Sequence, residues 1–568
     1  MHLVNVFRLL DPSERAARLK YLTIPLPFRS MALLWLSSVP VLPAPLLATT
    51  FYVSPSGSDA NSGTAASMPW ATVGKVDATS YQPGDQILFQ RGGEWHAQLA
   101  ASSDGTSGRP ITYSDYGDSA RSKPIIEGSD YIAPAQITPL GNGVYSFPAS
   151  ASPSGNVYWV YLNPDTKSAN SNLPLLAATT GGAAMPADSF FVGGGIVYIN
   201  TTGADPRHAA TMVDPRSPSI AISVGDRATG QDPAQGVIAS NGHSNLVFNN
   251  LIGRETAEVG PDGHITGGIM DGYVFRVQGG SNVTLSNDEG YFGGKHIFGA
   301  IDTTGFVAKN DIAQGCIDGV AGNQLPYGNA TALVSYADAN QTGDTFRWID
   351  CTVSNYSGSQ PAFITHNDGA NSIKSILVQN LSALGSPIAL MPGTNVTITY
   401  KGGSVQNNNL TAYTSPGTTE IIDGVKVSGV GSDIIVSGNA TVQNCLITDS
   451  GQDGGIQSNG PHNVIRFNTV AMQGYAGSAI HLGKDAKDTA LRGNLITGTR
   501  SAIKIDGDST ACSADYDFFD ISSGAPQFYV SGAAQTLAQF QTAGKEMHGV
   551  TGDLRFLQGE YERAKTAE

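Results

Sequence analysis

Lys295 and His296 follow Asn287 by eight and nine residues, and Asp318 follows Asn310 by eight. If Asn287 and Asn310 mark the same point in successive stacked strands, Lys295 or His296 comes to lie about one strand spacing, about 4.8 Å, from Asp318. A base oriented by a carboxylate is what proton abstraction next to a carbonyl requires; the plainer alternative is that both side chains decorate a solvent face. A second group joins Arg347 with Tyr336 and Asp338, and continues into Thr365-His366-Asn367-Asp368-Gly369. His366, Asp368 and Arg347 on neighbouring coils could bind a sugar carboxylate or move a proton, although Asn-Asp-Gly is also a strong turn. His264 and Asp271 form a third, weaker candidate in a Gly-rich connection. Farther along, His481 with Lys484, and Lys504 with Asp506, add titratable groups near the C-terminal end.

Cations stand out because they are few. The chain carries 32 Lys and Arg against 47 Asp and Glu, a net charge of −15, and charged residues make up 14% of it, against about 25% in an average protein. Replacing the counterions of a nucleic acid needs clustered cations, so a nucleic-acid partner is excluded. The four cysteines, Cys316, Cys351, Cys445 and Cys512, show no C-x-x-C spacing, which excludes a zinc ribbon or a thioredoxin-like motif. No Asp cluster announces a metal site. The metal is therefore unassigned, with Ca²⁺ a candidate if carboxylates from separate coils converge.

These residues must be positioned by strands. Gly at 68 of 568 residues, with long stretches of Asn, Ser, Thr, Val and Ile, favours short strands divided by turns. An apolar run ending in Asn recurs at Leu246-Val247-Phe248-Asn249-Asn250, Val283-Thr284-Leu285-Ser286-Asn287, Phe306-Val307-Ala308-Lys309-Asn310, Ile376-Leu377-Val378-Gln379-Asn380, Thr441-Val442-Gln443-Asn444, Val464-Ile465-Arg466-Phe467-Asn468 and Leu491-Arg492-Gly493-Asn494. Intervals of 23 (287 to 310), 24 (444 to 468) and 26 (468 to 494) residues are the length of one coil of a solenoid. Asn at a sharp bend tolerates left-handed backbone, and its amide can bond the next coil, so a ladder of Asn is expected.

The opening of the mature-looking region carries a denser set: Tyr52-Val53-Ser54, Gly57-Ser58-Asp59, Asn61-Ser62-Gly63, Pro69-Trp70-Ala71-Thr72, Pro83-Gly84-Asp85-Gln86-Ile87-Leu88-Phe89, Arg91-Gly92-Gly93 and Pro110-Ile111-Thr112. Together these resemble the start of bacterial proteins of the pectate-lyase-like superfamily. The resemblance implies an all-β, right-handed parallel β-helix with a β-rich insertion and a short C-terminal capping helix. It implies a fold shared by lyases, hydrolases and proteins of other activities. Arg500-Ser501-Ala502-Ile503-Lys504 resembles the Arg-x-Lys element of polygalacturonases, but the paired-Asp and Gly-His-Gly elements are missing, so that mechanism is not carried over.

The expected layout is a signal peptide or anchor over 1–48, an N-terminal cap and first coils over 49–130, a β-rich insertion over 131–235, the main β-helix over 236–512, and a C-terminal cap and tail over 513–568. Arg8, Arg15, Arg18, Lys20 and Arg29 precede the apolar stretch from Met31 to Ala48, the pattern of an export signal. A secreted, periplasmic or extracellular protein follows, touching a membrane only if that segment is retained. A long β surface suits a linear polymer, so a polysaccharide is the expected partner. The expected activity is cleavage of an acidic or bacterial polysaccharide by β-elimination or hydrolysis. The alternatives are uronate epimerisation, exopolysaccharide assembly or a non-catalytic binding rod.

Overall fold

The computed structural model describes residues 47–554, except 152–158, 163–175, 202–219, 224–235, 256–272, 294–295, 316–330, 338–344, 355–360, 368–372, 449–454, 473–476, 508–511, 521–523 and positions 179, 183, 188, 392, 430, 432 and 500. The N-terminal segment expected to direct export lies outside the described residues. Among those described, no helix is long and apolar enough to cross a membrane.

Three sheets of fourteen strands each run the length of the molecule. The first begins with Thr50–Val53, Gln86–Gln90 and Ile111–Tyr116, and the second with Glu94–His96, Ile125–Glu127 and Ile252–Arg254. The third begins with Leu99–Ala100, Ile238–Ala239 and Tyr273–Gln278. The chain visits the sheets in turn, and each strand pairs in parallel with its equivalent in the next coil, as in Leu246↔Val283 and Ile252↔Glu289, except that Ala533–Gln535 closes the third sheet in antiparallel. This is a parallel β-helix, and the described residues are all-β apart from the short helices Val73–Asp77 and Leu537–Thr542 and two single 3₁₀ turns. At about 4.8 Å per strand the fourteen strands span about 60 Å. In the first sheet, eleven of them lie between Leu246 and Asp515.

The opening motifs form one hydrogen-bonded unit. Asp59 accepts from the backbone of Ala71 and Thr72 and from the Thr72 hydroxyl, and Thr72 in turn caps the Val73–Asp77 helix through Lys75 N. A Cβ on Gly63 would fall 2.4 Å from the Trp70 ring, so glycine is required where the indole packs. Asp85 closes the first coil by accepting from Thr49 N and Gln82 N.

One apolar core runs inside the coils from Val53 to Phe540. Like side chains stack along it in register: Phe275 lies 4.6 Å from Phe298 at 14°. The connection from first to second sheet is two residues long in each coil from Asn249 to Asp515. Its first residue takes positive φ at Asn250, Asn287, Asn310, Asp350, Asn380, Gly402, Gly424, Asn444, Phe467, Gly493 and Tyr516. The ladder is real: Asn310 Nδ2 donates to Asn287 Oδ1 at 3.2 Å, Asn380 to Asp350 at 2.9 Å, and Asn444 to Asp423 at 2.7 Å. Asn468 and Asn494 are shifted by one place from the expected register. They occupy the buried second position of the bend, where Asn468 donates to Asn494 and Asn494 to Asp517, each at 3.0 Å.

Between Glu127 and Ile238 the chain leaves the coils to form two smaller sheets. One has three antiparallel strands, Ser129–Ile132, Ile220–Ser223 and Trp159–Leu162; the other has five, centred on Ser189–Gly193 and Ile196–Asn200. They carry a separate core of Ile132, Phe147, Val160, Phe190, Val197 and Ile199. This excursion leaves from the end of the second-sheet strand Ile125–Glu127 on the way to the third sheet.

Candidate functional site

A dense group of titratable side chains sits where the first coils meet that insertion. The in-register column of the second sheet reads His96, Glu127, Arg254 and Tyr291, with Glu94 and Glu289 two residues earlier on their strands. Short strands such as Glu94–His96 and Ile125–Glu127 turn their middle residues, Trp95 and Ile126, into the core and leave the flanking positions facing out, so these charged residues share the outer face. Arg254 is the hub. Its Nε lies 2.5 Å from Glu127 Oε2, and a terminal nitrogen lies 3.5 Å from Glu94 Oε2. Glu94 Oε1 is 3.1 Å from His96 Nε2, while His96 Nδ1 is 2.8 Å from the Ser129 carbonyl. The Ser129 hydroxyl donates to Glu255 Oε2 at 2.7 Å, with Glu127 Oε1 at 3.4 Å. Glu255 takes φ +61, and Gly128 is needed beside it, since a Cβ there would lie 2.3 Å from the Glu255 carbonyl.

The three carboxyls are shifted in different directions. Glu127 and Glu255 are fully buried. Burial, then the charge of Glu127, pushes the Glu255 carboxyl well above the usual range, and one Glu255 oxygen has no hydrogen-bond partner. Burial raises Glu127 too, against the pull of Arg254. Glu94 lies at the solvent edge with its side chain 34% exposed. Burial alone would raise it, but the His96 hydrogen bond and the Arg254 charge hold it below the ordinary value. For His96, desolvation is outweighed by the Glu94 bond and the charges of Glu127 and Glu94, and the imidazole is raised. The cluster thus sets one carboxyl held low, Glu94, beside two pushed up by burial, Glu127 and Glu255, around the Arg254 guanidinium. On the next coil Lys123 Nζ pairs with Glu289 at 3.0 Å, and Tyr291 donates to Glu289.

The third sheet supplies a second bank on the same coils. The Tyr273 ring lies 4.8 Å from His296, and the Arg276 guanidinium lies 4.8 Å from the Tyr273 ring. Gly299 makes room for them, since a Cβ there would be 2.3 Å from Tyr273 Cε1. Tyr273, Ile301, Val334 and Ile364 form a buried cluster separate from the interior core.

Among the residues singled out from sequence, His296 is buried and lies in register with Tyr273 and Thr331. Tyr336 and His366 are register partners on adjacent third-sheet strands. Arg347 is not brought to them. It is exposed on the first sheet between Val307 and Leu377, because its strand occupies a different side of the coil. Lys295, Asp318, Asp338, Asp368, His264 and Asp271 lie outside the described residues. The Glu94–His96–Glu127–Arg254–Glu255 group was missed. Its one sequence signal is the shared offset of Arg254 and Tyr291, each four residues past a ladder Asn. Toward the C-terminal end, His481 Nε2 meets Asp506 at 2.9 Å and Lys504 meets it at 3.4 Å. Among the described residues no three His, Cys, Asp or Glu side chains are grouped to hold a metal ion.

No family model matches the chain. Lacto-N-biosidase of Bifidobacterium longum subsp. longum is 42% identical over 83 residues, which is 14% of this chain and 5% of that protein. The chain thus matches only a small part of that relative's length. Among solved structures, XylC in complex with xylose superposes with a TM-score of 0.44 at 12% identity, covering 85% of this chain and 86% of that one. A glycoside hydrolase gives 0.43 at 10%, covering 88% and 99%, and a lacto-N-biosidase from Eubacterium ramulus gives 0.28 at 11%, covering 89% and 67%. The fold itself rests on the three parallel ladders, and it is a parallel β-helix consistent with the pectate-lyase-like type.

Proposed function

We propose that the protein is an exported carbohydrate-active enzyme that cleaves an acidic or bacterial polysaccharide, by hydrolysis at the Glu94–Arg254–Glu255 cluster. The observation that carries this reading is the grouping of Glu94, Glu127 and Glu255 about Arg254, in which hydrogen bonding and charge hold Glu94 below the ordinary carboxylate range while burial pushes Glu255 well above it. Hydrolysis of a glycosidic bond needs one carboxyl that can give a proton and one carboxylate that attacks or activates water. Glu94, at the solvent edge, is the ionised partner. The Glu127–Glu255 pair, joined through Ser129 and pushed up by burial, is the donor. The segment that is 42% identical to a protein named lacto-N-biosidase lends support.

A second reading is favoured by Tyr273, Arg276 and His296. An imidazole beside a phenol and a guanidinium can take the proton next to a uronate carboxylate and neutralise the enolate, which is β-elimination. Lys295, Asp318, Tyr336, Asp338, His366, Asp368, His264 and Asp271, singled out from the sequence, are candidate contacts for the sugar chain in this reading.

Incubation with a panel of neutral and uronate-containing polysaccharides, following reducing ends and ultraviolet absorbance together, separates the two. Hydrolysis gives reducing ends without absorbance, and Glu94→Gln and Glu255→Gln each lower the rate by about 10²-fold or more. New absorbance that Glu94→Gln leaves intact and Arg276→Gln removes would transfer the chemistry to the third sheet. Silence on both readouts across the panel would leave a binding rod or an epimerase.

A further inference from the structure

The bend between the first and second sheets carries Asn, Asp or Gly in every coil from Asn250 to Asn444, and then changes. Phe467 and Tyr516 take the same left-handed backbone, at φ +57 and +67. Bulky side chains are disfavoured there, and Asn would keep the ladder that Asn444 continues. Both rings are also left in solvent, 54% and 49% exposed. Their contacts are local ones at the surface, backbone preference does not account for them, and strain of this kind is found at working surfaces.

Their neighbours point to a ligand. Arg466 precedes the Phe467 bend and Arg492 precedes the Gly493 bend of the next coil; the two are register partners on adjacent strands, both exposed. Two guanidinium groups side by side repel, and among the described residues neither has a carboxylate partner. Arg466 is held by the neutral Gln443 amide at 2.9 and 2.7 Å. Arg492 lies over the Tyr516 ring at 4.9 Å. The acid next in register, Asp515, is taken instead by His548, through Nδ1 at 2.9 Å and the backbone N at 2.7 Å. His548 stacks on Tyr516 at 4.5 Å and 9°. Phe467 leans over Gly493, where a Cβ would come within 2.8 Å of the ring. The result is a strip along the rod axis of rings and two unpaired cations, about 10 Å from Phe467 to Tyr516, on a chain of net charge −15.

We infer that this strip is a binding site for an acidic glycan, with Arg466 and Arg492 holding sugar carboxylates, Phe467 lying against a sugar ring, and Tyr516, stacked by His548, seating the Arg492 guanidinium. It stands on a different connection of the coil from the Glu94 cluster, so it is a second site that retains polymer rather than part of the reacting centre. An anionic polymer needs fixed cations to bind a protein of this net charge, and aromatic faces suit the apolar C–H face of a pyranose.

The test uses the full chain and polygalacturonate, with laminarin as the neutral control, in calorimetry or affinity electrophoresis. Wild type binds polygalacturonate and not laminarin, and Arg466→Gln/Arg492→Gln lowers affinity at least tenfold. Phe467→Asn/Tyr516→Asn also lowers affinity while raising the melting temperature, which a structural role for the rings would not allow. Cleavage of short oligosaccharides is unchanged in both variants, so loss of binding here is distinguishable from failure of the Glu94 site. Undiminished binding by either double variant, equal binding of laminarin, or no binding of polygalacturonate by wild type would overturn the inference.

Discussion

Glu420 has a position that no surface role explains. It is 1% exposed, its register partners on the flanking coils are Ile398 and Ala440, and neither carboxyl oxygen has a hydrogen-bond partner. Burial pushes its carboxyl up to about 9, so the folded protein holds it neutral where the unfolded chain would ionise near 4.5. A raised carboxyl pKa contributes stability that is complete below about pH 4.5 and is lost progressively as pH rises toward 9. Glu420→Leu should therefore raise the unfolding free energy at pH 8 by about 2 kcal/mol or more and flatten the decline between pH 5 and 9. Urea titrations at several pH values measure this; a variant less stable than wild type at pH 8 would mean that the carboxyl has an unseen role. Core acids of this kind are hard to read from sequence. Glu420 stands in Thr419-Glu420-Ile421-Ile422, where strand alternation places it on the same face as Ile422, but a charged residue there is ordinarily taken as the outer face. The same difficulty hid the candidate site. Glu127 and Arg254 are 127 residues apart, and only the register of the second sheet, established after the long insertion, brings them together. The sequence-based reading looked instead to His and Lys in connections, which are visible as rare residues.

At the scale of the element, the two-residue bend divides its labour. The first residue turns through left-handed backbone and passes a hydrogen bond along the outside; the second is buried and joins the coils from within. Asn310 belongs to the outer ladder, donating to Asn287. Asn494 belongs to the inner one: its carbonyl accepts from the backbone and side chain of Asn468, and its amide donates to the Ile465 carbonyl and Asp517. Loss of an exposed ladder bond costs about 1 kcal/mol. Removal of a buried amide leaves several polar atoms unsatisfied at about 1–3 kcal/mol apiece. Asn494→Ala should accordingly destabilise much more than Asn310→Ala, with thermal denaturation of the two variants as the measure, and equal losses would mean that the inner ladder is hydrated. Recurrence of Asn was sufficient to read the solenoid and its period from the sequence. It was insufficient to separate the two ladders, since Asn444 and Asn468 each follow a short apolar run and differ by a single place in the bend.

For the molecule as a whole, stacking makes stability nearly one-dimensional, because each coil touches only those above and below. Cys351, Cys445 and Cys512 are buried and unbridged, so reductant should leave the melting temperature unchanged. A weak point at one end should likewise remain local. The C-terminal end is closed by Leu537–Thr542, whose Phe540 is fully buried and stacks on Phe528 at 4.6 Å and 19°. Thr536 and Gln539 form a reciprocal cap at the start of that helix. Phe528 belongs to the last parallel strand of the third sheet, Gln527–Val530, beyond which only the antiparallel strand Ala533–Gln535 remains. Removing the Phe540 ring costs about 3–5 kcal/mol in a packed core. In a globular domain that loss would lower protection everywhere. Here Phe540→Ala should raise amide exchange in the strands from Ser501–Ile505 onward while the strands from Thr50–Val53 to Val283–Ser286 keep their protection, with hydrogen exchange read by mass spectrometry. The freed strand edges should also promote concentration-dependent association, since an unpaired parallel edge is a template for another chain. Uniform loss of protection along the rod would instead show that the coils melt as one cooperative unit, and that the single continuous core from Val53 to Phe540 outweighs the nearest-neighbour character of the stack.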